Sequence, residues 1–246
     1  MAKGRGQNVQ RLRGQVALIT GANQGIGLAL ARALAREGCK LVLAARNART
    51  LEKAGREVAR LGAEVTWQIC DVRDPASVKA LAAHVRKVHR RLHILINNAG
   101  VAHEALPVEK LPLDQWRAVI DTNLTGTYLV CHDMLPLMPR GSTIVNMLSV
   151  AATRAFPNSA GYCASKHGAL GLTNTLREEL RPREIRVIAA SPGATATDIW
   201  NAFWPGAPRE KMMSPATVAA VVVAALVQPA DSTVEEFMMR PSVGTL

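Results

Sequence analysis

Near its amino terminus the chain contains the stretch Val16-Ala17-Leu18-Ile19-Thr20-Gly21-Ala22-Asn23-Gln24-Gly25-Ile26-Gly27, which joins an apolar run to an alanine- and leucine-rich helical pattern. Glycines permit a tight turn and let backbone amides approach a pyrophosphate, and the positive end of the helix dipole attracts that anion. We therefore predict a phosphate-binding turn between a first strand and a first helix. Its candidate contacts are Gly21, Asn23, Gln24, Gly25, Ile26 and Gly27.

The rest of the chain alternates short apolar runs with longer helical patterns. Predicted strands cover residues 16–20, 41–44, 65–70, 92–96, 143–147 and 186–190, with a seventh at 234–239. Asp74-Pro75 and Ser214-Pro215 predict helix starts, because a capping side chain precedes a proline in the first turn. Continuous apolar strands are buried on both faces, and right-handed crossovers place helices on both sides of a parallel sheet. The predicted fold is a doubly wound α/β (Rossmann) fold, a seven-stranded parallel sheet with helices on both faces.

Composition limits the domain organisation and the compartment. The 246 residues are 48% hydrophobic and 20% charged, which supports a large core and argues against disorder. No linker divides the chain, so we predict one domain at residues 14–246 after a basic flexible arm at residues 1–13. No secretory h-region follows that arm, and the longest charge-free apolar stretch, residues 218–227, is far below the ~20 residues of a membrane span. We expect a cytoplasmic protein without a membrane partner.

Cysteine and histidine spacing predicts no metal site. The four cysteines form no CxxC pair and lie in apolar contexts, so we interpret them as reduced core thiols. The six histidines show no ligand spacing such as HExxH. A net charge of +11 favours anionic partners. The basic residues are scattered, however, and they do not alternate with the nine aromatic residues (four Trp, three Phe and two Tyr), which argues against nucleic acid.

The residues after the second predicted strand indicate which dinucleotide binds. About twenty residues beyond the glycine-rich turn, an acidic side chain ordinarily holds the ribose 2′-hydroxyl of NAD. Here the chain has Ala44-Ala45-Arg46-Asn47, with no acid to repel a phosphate. The guanidinium of Arg46 is suited to charge-assisted hydrogen bonds with a 2′-phosphate. We therefore predict NADP(H) as the cofactor.

Several ordered motifs resemble those of one family. They are Thr20–Gly27, Asn97-Asn98-Ala99-Gly100, Ser149, Tyr162-Cys163-Ala164-Ser165-Lys166 and Pro192-Gly193. Together they resemble the single-domain short-chain dehydrogenase/reductase family from Gln15 to the carboxyl terminus. The resemblance implies an enzyme that interconverts a carbonyl compound and its secondary alcohol by hydride transfer. It also implies a homotetramer or homodimer that packs through helices near residues 128–137 and 162–180.

The catalytic prediction combines chemistry with the resemblance. Tyr162 and Lys166 share one helix face, and an unperturbed phenol with a pKa of ~10 is a poor acid or base near neutrality. A nearby ammonium, together with the positive nicotinamide, favours phenolate and lowers that pKa. The resemblance implies that Tyr162 transfers the proton, that Ser149 hydrogen-bonds the substrate oxygen, and that Lys166 also holds the nicotinamide ribose. Asn123 matches the family's fourth member, which supports a water that links the lysine to solvent.

The remaining cofactor contacts are implied by the resemblance alone. They are Asp71 and Val72 beside the adenine, Asn98, Ala99 and Gly100 along the cofactor, and Pro192, Gly193, Thr195 and Thr197 beside the nicotinamide. Substrate specificity is expected in the loop at residues 198–213, which contains Ile199, Trp200, Phe203, Trp204, Met212 and Met213. The apolar residues of this loop predict either a lid over the substrate, with Val150 and Phe156 on the opposite wall, or a segment that packs on the core or on a neighbouring subunit.

Three other functions remain open from the sequence. Arg140 and Arg183 match positions where 3-oxoacyl carrier protein reductases of the family carry arginines that dock an acidic acyl carrier protein. A non-catalytic NADP(H)-sensing regulator would have the same fold, although the intact Ser-Tyr-Lys set argues against it. A nucleic-acid binder is the least favoured of the three.

Overall fold

The computed structural model describes residues 12–229 and 231–244, which build a parallel sheet covered by helices. The strands are β1 (Val16–Thr20), β2 (Lys40–Ala45), β3 (Val65–Ile69), β4 (Ile94–Asn97), β5 (Thr143–Met147), β6 (Arg186–Pro192) and β7 (Glu236–Met239). They pair in parallel in the order β3-β2-β1-β4-β5-β6-β7, which confirms the predicted sheet. Apart from its last two positions, the predicted arm at residues 1–13 lies outside the described residues.

Helices cover both faces of this sheet. They are α1 (Gly25–Arg36), α2 (Ala48–Ala59), α3 (Pro75–His89), α4 (Leu113–Ile120), α5 (Gly126–Met134), α6 (Ala160–Leu180), α7 (Trp200–Phe203) and α8 (Pro215–Leu226). The two predicted helix starts are confirmed, because Asp74 accepts from the Ala76 N–H at 2.9 Å and Ser214 from the Thr217 N–H at 3.1 Å. One apolar cluster packs α1, α2 and α8 on one face, and another packs α3, α5 and α6 on the other.

The edge strands depart from the prediction that strands are buried on both faces. Residues of β3 are partly exposed, with Ile69 at 53%, and alternate residues of β7 are exposed, with Met238 at 42%. β3 and β7 are the edge strands of the sheet, so each pairs with one strand only and fewer residues pack along its free edge. The prediction holds for β1, β4 and β5, whose residues are all buried.

Strand order fixes where a ligand can bind. The chain runs outward from β1 to β3 and then returns to place β4 on the other side of β1, so the order reverses between β1 and β4. In open α/β sheets such a reversal leaves a crevice outside the carboxyl ends of the strands. Thr20, the last residue of β1, ties this edge together because its Oγ1 accepts from the N–H groups of Asn98 and Ala99, both at 3.0 Å.

The burial of the four cysteines can be compared with the expectation that they are core thiols. Cys39, Cys70 and Cys131 are buried free thiols, whereas Cys163 is half-buried because it lies in the first turn of α6 rather than in the core. Across residues 12–229 and 231–244, no helix is both long and apolar enough to cross a membrane. Over the same residues, no three histidine, cysteine or acidic side chains are grouped as metal ligands.

Candidate active site

A cleft of about 570 Å³ lies at the carboxyl ends of β1, β4, β5 and β6. Most of the predicted site residues line it together, although they are spread over more than 170 positions of the chain: Gly21, Asn23, Gln24, Gly25, Ile26, Arg46, Val72, Asn98, Ala99, Gly100, Ser149, Tyr162, Lys166, Pro192, Gly193, Thr195 and Thr197. Gly27, Asp71 and Asn123 do not line the cleft. Gly27 closes the glycine-rich turn, Asn123 lies behind the cleft wall and Asp71 is bound by Arg73, as described below.

The glycine-rich turn at one end of the cleft depends on backbone geometry that favours glycine. Gly21 and Gly25 have φ values of +64° and +55°, and a Cβ on Gly21 would lie 2.9 Å from Ala99 Cα. A Cβ on Gly27 would lie 2.2 Å from the Gly21 carbonyl oxygen, so this glycine closes the turn rather than facing the cleft. The first turn of α1 carries no acidic residue, and Gln24 makes no side-chain cap. The N–H groups at the start of α1 have no acceptor within the helix and therefore suit a bound anion.

Arg46 lies just beyond β2, where it lines the cleft with its side chain exposed. Among the described residues it forms no ion pair, so its guanidinium is available to a ligand. Asp71 follows β3, but its carboxylate is held by Arg73, with atoms as close as 2.6 Å, and does not line the cleft. Hydrogen bonds from Arg73 lower the pKa of Asp71, and the nearby charge of Arg46 adds to that effect.

Three polar side chains meet at the other end of the cleft. Ser149 follows β5 and is buried, while Tyr162 and Lys166 occupy successive turns of α6. The Lys166 Nζ lies 5.7 Å from the centroid of the Tyr162 ring and donates to the Met147 carbonyl oxygen at 2.9 Å. An ammonium has three donors, and the described residues take up only this one. The other two are available to hydroxyl groups or water in the cleft.

Burial shifts the ionisation of both α6 side chains. It raises the pKa of Tyr162, and a hydrogen bond with Ser149 only partly opposes that rise. It lowers the pKa of Lys166 to about 8. Loss of water around the phenol is the largest cause of the raised tyrosine pKa, because a buried phenolate is poorly solvated. The expectation that Lys166 and the positive nicotinamide together lower this pKa concerns the cofactor-bound enzyme and stays a prediction.

Asn123 lies behind the cleft wall, in a π-helical turn (Asp121–Thr125) between α4 and α5. Its Oδ1 accepts from the Val101 N–H at 2.9 Å, and its Nδ2 donates to the Val101 carbonyl at 2.9 Å and to Ser165 Oγ at 3.0 Å. Asn123 therefore joins the loop after β4 to α6, the helix that carries Tyr162. Turns of this kind often mark functional sites.

Aromatic side chains from the predicted lid cover the tyrosine. The Phe203 ring on α7 lies 6.3 Å from the Tyr162 ring and 5.7 Å from Trp200, which is fixed because its Nε1 donates to the Thr195 carbonyl at 2.9 Å. Ile199, Trp204, Val150 and Phe156 also line the cleft. Met212 does not, and Met213 is buried in the core cluster beside α1 and α8. The loop thus combines the lid and the core-packed segment that the sequence left as alternatives.

Sequence reasoning assigned no role to several residues that support the site. Thr20 joins β1 to the loop after β4, and Arg209 holds the lid through the Thr197 carbonyl at 3.0 Å and Asn201 Oδ1 at 2.6 Å. His103, in the loop after β4, accepts a hydrogen bond from the Gly161 N–H. These contacts join positions far apart in the chain. No local pattern signals them, apart from the terminal position of Thr20 on a buried strand.

Arg140 and Arg183 are remote from this chain's own cleft. They precede β5 and β6, at the amino ends of strands whose carboxyl ends form the site. Arg140 forms an ion pair with Glu184, and Arg183 donates to the carbonyls of Leu135 at 2.9 Å and Met138 at 3.1 Å. Arg140 and Arg183 therefore do not form a free pair at the mouth of this cleft for an acidic carrier.

Comparison with known proteins identifies similar chains. Residues 15–207 match the family model described as short chain dehydrogenase. A D-threitol dehydrogenase of Mycolicibacterium smegmatis is 39% identical over 80% of this chain and 76% of its own length. A sepiapterin reductase of Chlorobaculum tepidum is 35% identical over 94% and 98%. The solved structure of an alcohol dehydrogenase from Thermococcus sibiricus, complexed with 5-hydroxy-NADP, superposes with a TM-score of 0.88 at 32% identity, over 94% of this chain and 98% of that one.

Proposed function

The chain belongs to the short-chain dehydrogenase/reductase family, and we propose that it is an NADP(H)-dependent oxidoreductase that interconverts an apolar carbonyl compound and its secondary alcohol. One observation carries the proposal. Ser149, Tyr162 and Lys166 line the same cleft as the glycine-rich turn, so a dinucleotide bound at the turn extends toward an acid-base group. The relatives' names span a sugar alcohol and a pterin, so they do not indicate the substrate.

The chain's own residues fit NADP(H). The anion-binding first turn of α1 suits the pyrophosphate, and Arg46 suits the 2′-phosphate, because its guanidinium is exposed in the cleft without an ion pair among the described residues. The two remaining donors of Lys166 suit the nicotinamide ribose. Val72, Asn98, Ala99 and Gly100 line the path between the two ends, and Pro192, Gly193, Thr195 and Thr197 line the cleft beside Tyr162.

In this proposal the bound cofactor supplies or accepts the hydride at the substrate carbon. Tyr162 donates its phenolic proton to the carbonyl oxygen during reduction and takes it back from the alcohol during oxidation. Ser149 hydrogen-bonds the same oxygen and orients it toward the phenol. Lys166 holds a positive charge beside the phenolate that forms, and its ammonium can return a proton to the phenolate. Asn123 keeps α6 and the loop after β4 in register.

The lid supports an apolar substrate. Phe203, Trp200 and Ile199 face the same cleft as Val150 and Phe156, so the part of the substrate beside the carbonyl meets mainly aromatic and aliphatic carbon. Such a pocket binds hydrophobic ketones better than polyols, because the described lid offers few hydrogen-bonding groups.

The first experiment measures NADPH oxidation with two substrates, a 3-ketoacyl thioester on its carrier protein and free apolar ketones. The control is Tyr162→Phe, which keeps the ring and removes the proton. Loss of a general acid-base group costs ~100- to 10,000-fold in turnover, and we expect a loss in this range. A variant that keeps most of its activity contradicts the role of Tyr162. Turnover on free ketones supports the proposal, whereas turnover confined to the thioester identifies a carrier protein reductase instead.

A further inference from the structure

His103 does not line the cleft described above, yet it contacts the helix that carries Tyr162. Its side chain is 3% exposed, and its Nε2 accepts a hydrogen bond from the Gly161 N–H at 3.1 Å. Its Nδ1 lies 2.6 Å from the Glu104 carbonyl oxygen. A ring nitrogen that accepts from an amide carries no proton, so the proton resides on Nδ1 and is donated to Glu104. The ring is therefore neutral, with both nitrogens bonded.

The bonded amide belongs to the first turn of α6. The opening N–H groups of a helix have no acceptor within the helix. Ser159, the residue before α6, makes no side-chain cap, because its hydroxyl donates to the Pro157 carbonyl at 3.2 Å. His103 supplies an acceptor from another loop, 58 positions earlier in the chain. The amide that it fixes immediately precedes Tyr162.

Neighbouring residues restrict the movement of both partners in the His103–Gly161 hydrogen bond. A Cβ on Gly161 would lie 3.1 Å from His103 Cδ2 and 3.4 Å from Trp116 Cε3, so glycine lets the helix approach both rings. Glu104, next to His103, donates its N–H to Gln115 Oε1 at 3.3 Å. Two positions before His103, Val101 is held by Asn123 through both backbone groups. The loop is thus anchored on each side of the histidine.

We propose that His103 is a positioning residue, which caps α6 through its Nε2 and thereby sets the place of the Tyr162 phenol relative to Ser149. The inference rests on the proposed role of Tyr162 as the acid-base group. Tyr162 lies in the turn whose amide His103 holds, so loss of the cap frees that turn to move. A displacement of about 1 Å at a reacting group can cost ~100-fold in rate.

The test compares three variants. His103→Leu removes the acceptor, and His103→Gln keeps an acceptor oxygen near the position of Nε2. His93→Leu is the matched control, because His93 Nδ1 also accepts a backbone N–H, that of Val16 at 3.1 Å, but at the opposite end of the sheet from the cleft. For each variant we measure kcat, the KM of an apolar ketone, the Kd of NADPH, the melting temperature, and amide hydrogen exchange over residues 159–163.

We expect His103→Leu to lower kcat by about 10-fold or more, with the Kd of NADPH little changed and exchange at the Gly161 amide accelerated. His103→Gln recovers most of both effects. His93→Leu lowers the melting temperature but leaves kcat and that exchange rate near those of the wild type. If His103→Leu does not fold, the same comparison is made with Gly161→Ala, whose methyl group pushes against the His103 ring.

Two results overturn the inference. One is a kcat for His103→Leu no lower than that of His93→Leu, and the other is a His103→Gln variant as slow as the leucine variant. Failure of the proposed function is separately visible. In that case Tyr162→Phe retains turnover, whereas hydrogen exchange still reports whether His103 holds the Gly161 amide.

Discussion

At the scale of single residues, Arg46 carries the proposed choice of cofactor. A charge-assisted hydrogen bond contributes about 1.5–3 kcal/mol, so we expect Arg46→Ala to raise the Kd of NADPH by about 10- to 100-fold and to change that of NADH little. Arg49→Ala is the control, because Arg49 is also exposed at the start of α2 but does not line the cleft. Fluorescence titration with both nucleotides measures the difference. Equal losses for NADPH and NADH contradict the assignment.

Lys166 illustrates a conflict between function and stability. Its pKa falls from 10.5 to about 8 because the ammonium is buried, and at about 1.36 kcal/mol per pH unit this corresponds to roughly 3 kcal/mol of unfavourable free energy when the amine is charged. That cost is fully present below pH 8, where the amine is charged in the folded and unfolded chains. It declines as pH rises toward 10.5, because the folded chain loses the proton first.

We therefore expect Lys166→Met to abolish turnover and to raise the free energy of unfolding at pH 7. The gain is about 1–2 kcal/mol, since the lost hydrogen bond to the Met147 carbonyl offsets part of the relief. The gain narrows between pH 8 and pH 10. Urea denaturation of both proteins at several pH values measures it. A difference that stays constant with pH, or a variant less stable than the wild type at pH 7, contradicts this account of the lysine.

Sequence reasoning at this scale succeeds for residue types and is weaker for their environments. The glycine-rich turn, Arg46 and the pair Tyr162 and Lys166 could be singled out because a local pattern or spacing contains them, and the structure brings them to one cleft. The raised pKa of Tyr162 could not be foreseen, because the burial that causes it depends on how the whole chain folds. His103 was missed for the same reason, as its partner lies 58 positions away.

At the scale of elements, α7 forms the proposed substrate side of the cleft. The Phe203 ring lies 6.3 Å from that of Tyr162, whereas Trp204 is 46% exposed and its ring lies 6.4 Å from that of Trp200. Removing the Phe203 ring takes away apolar area worth about 1–2 kcal/mol. We expect Phe203→Ala to raise the KM of apolar ketones by about 10-fold.

Steady-state kinetics at saturating NADPH measure this effect, with Trp204→Ala as the comparison variant. Because Trp204 is 46% exposed, we expect its removal to take away less buried apolar area and to raise KM less. An unchanged KM in Phe203→Ala shows that substrate does not contact α7, and a larger effect at Trp204 shows that the lid closes in another arrangement.

The bounds of the strands show which features of the fold a local sequence pattern can predict. The predicted bounds of β1 and β5 match the structure, because turn residues flank these apolar runs closely. The run that begins at Leu92 overestimates β4, which starts at Ile94. Leu92 is fully buried, but its N–H donates to the Leu137 carbonyl outside the sheet, at 2.9 Å. An apolar run thus predicts burial but not the partner of each amide.

At the scale of the whole molecule, lateral strand order is the information that alternation of strands and helices does not contain. The same seven βα segments could be arranged in several orders, and only the order that reverses between β1 and β4 brings residues after β1, β4, β5 and β6 to one crevice. The family resemblance implies this arrangement. Composition and periodicity alone predict a doubly wound sheet without locating its crevice.

Assembly is the remaining prediction at this scale. The Tyr128 ring on α5 is an exposed large apolar group, with 49% of the residue accessible. It lies in the segment near residues 128–137 through which the family resemblance implies packing against another subunit. We expect the chain to form a dimer or tetramer through α5, and we expect Tyr128→Glu to weaken the assembly because it buries a charge in an apolar contact.

Light scattering coupled to size-exclusion chromatography measures the mass of the wild type, Tyr128→Glu and the control Leu61→Glu. Leu61 is similarly exposed, at 44%, but it follows α2 beside the edge strand β3 rather than α4 or α5. A wild-type mass of one chain, or a Tyr128→Glu variant with the wild-type multiple, contradicts the prediction. Loss of assembly in Tyr128→Glu alone identifies α5 as the contact. Because α5 continues the turn that holds Asn123, and Asn123 joins the loop after β4 to α6, we expect such a contact also to stabilise the wall behind Tyr162.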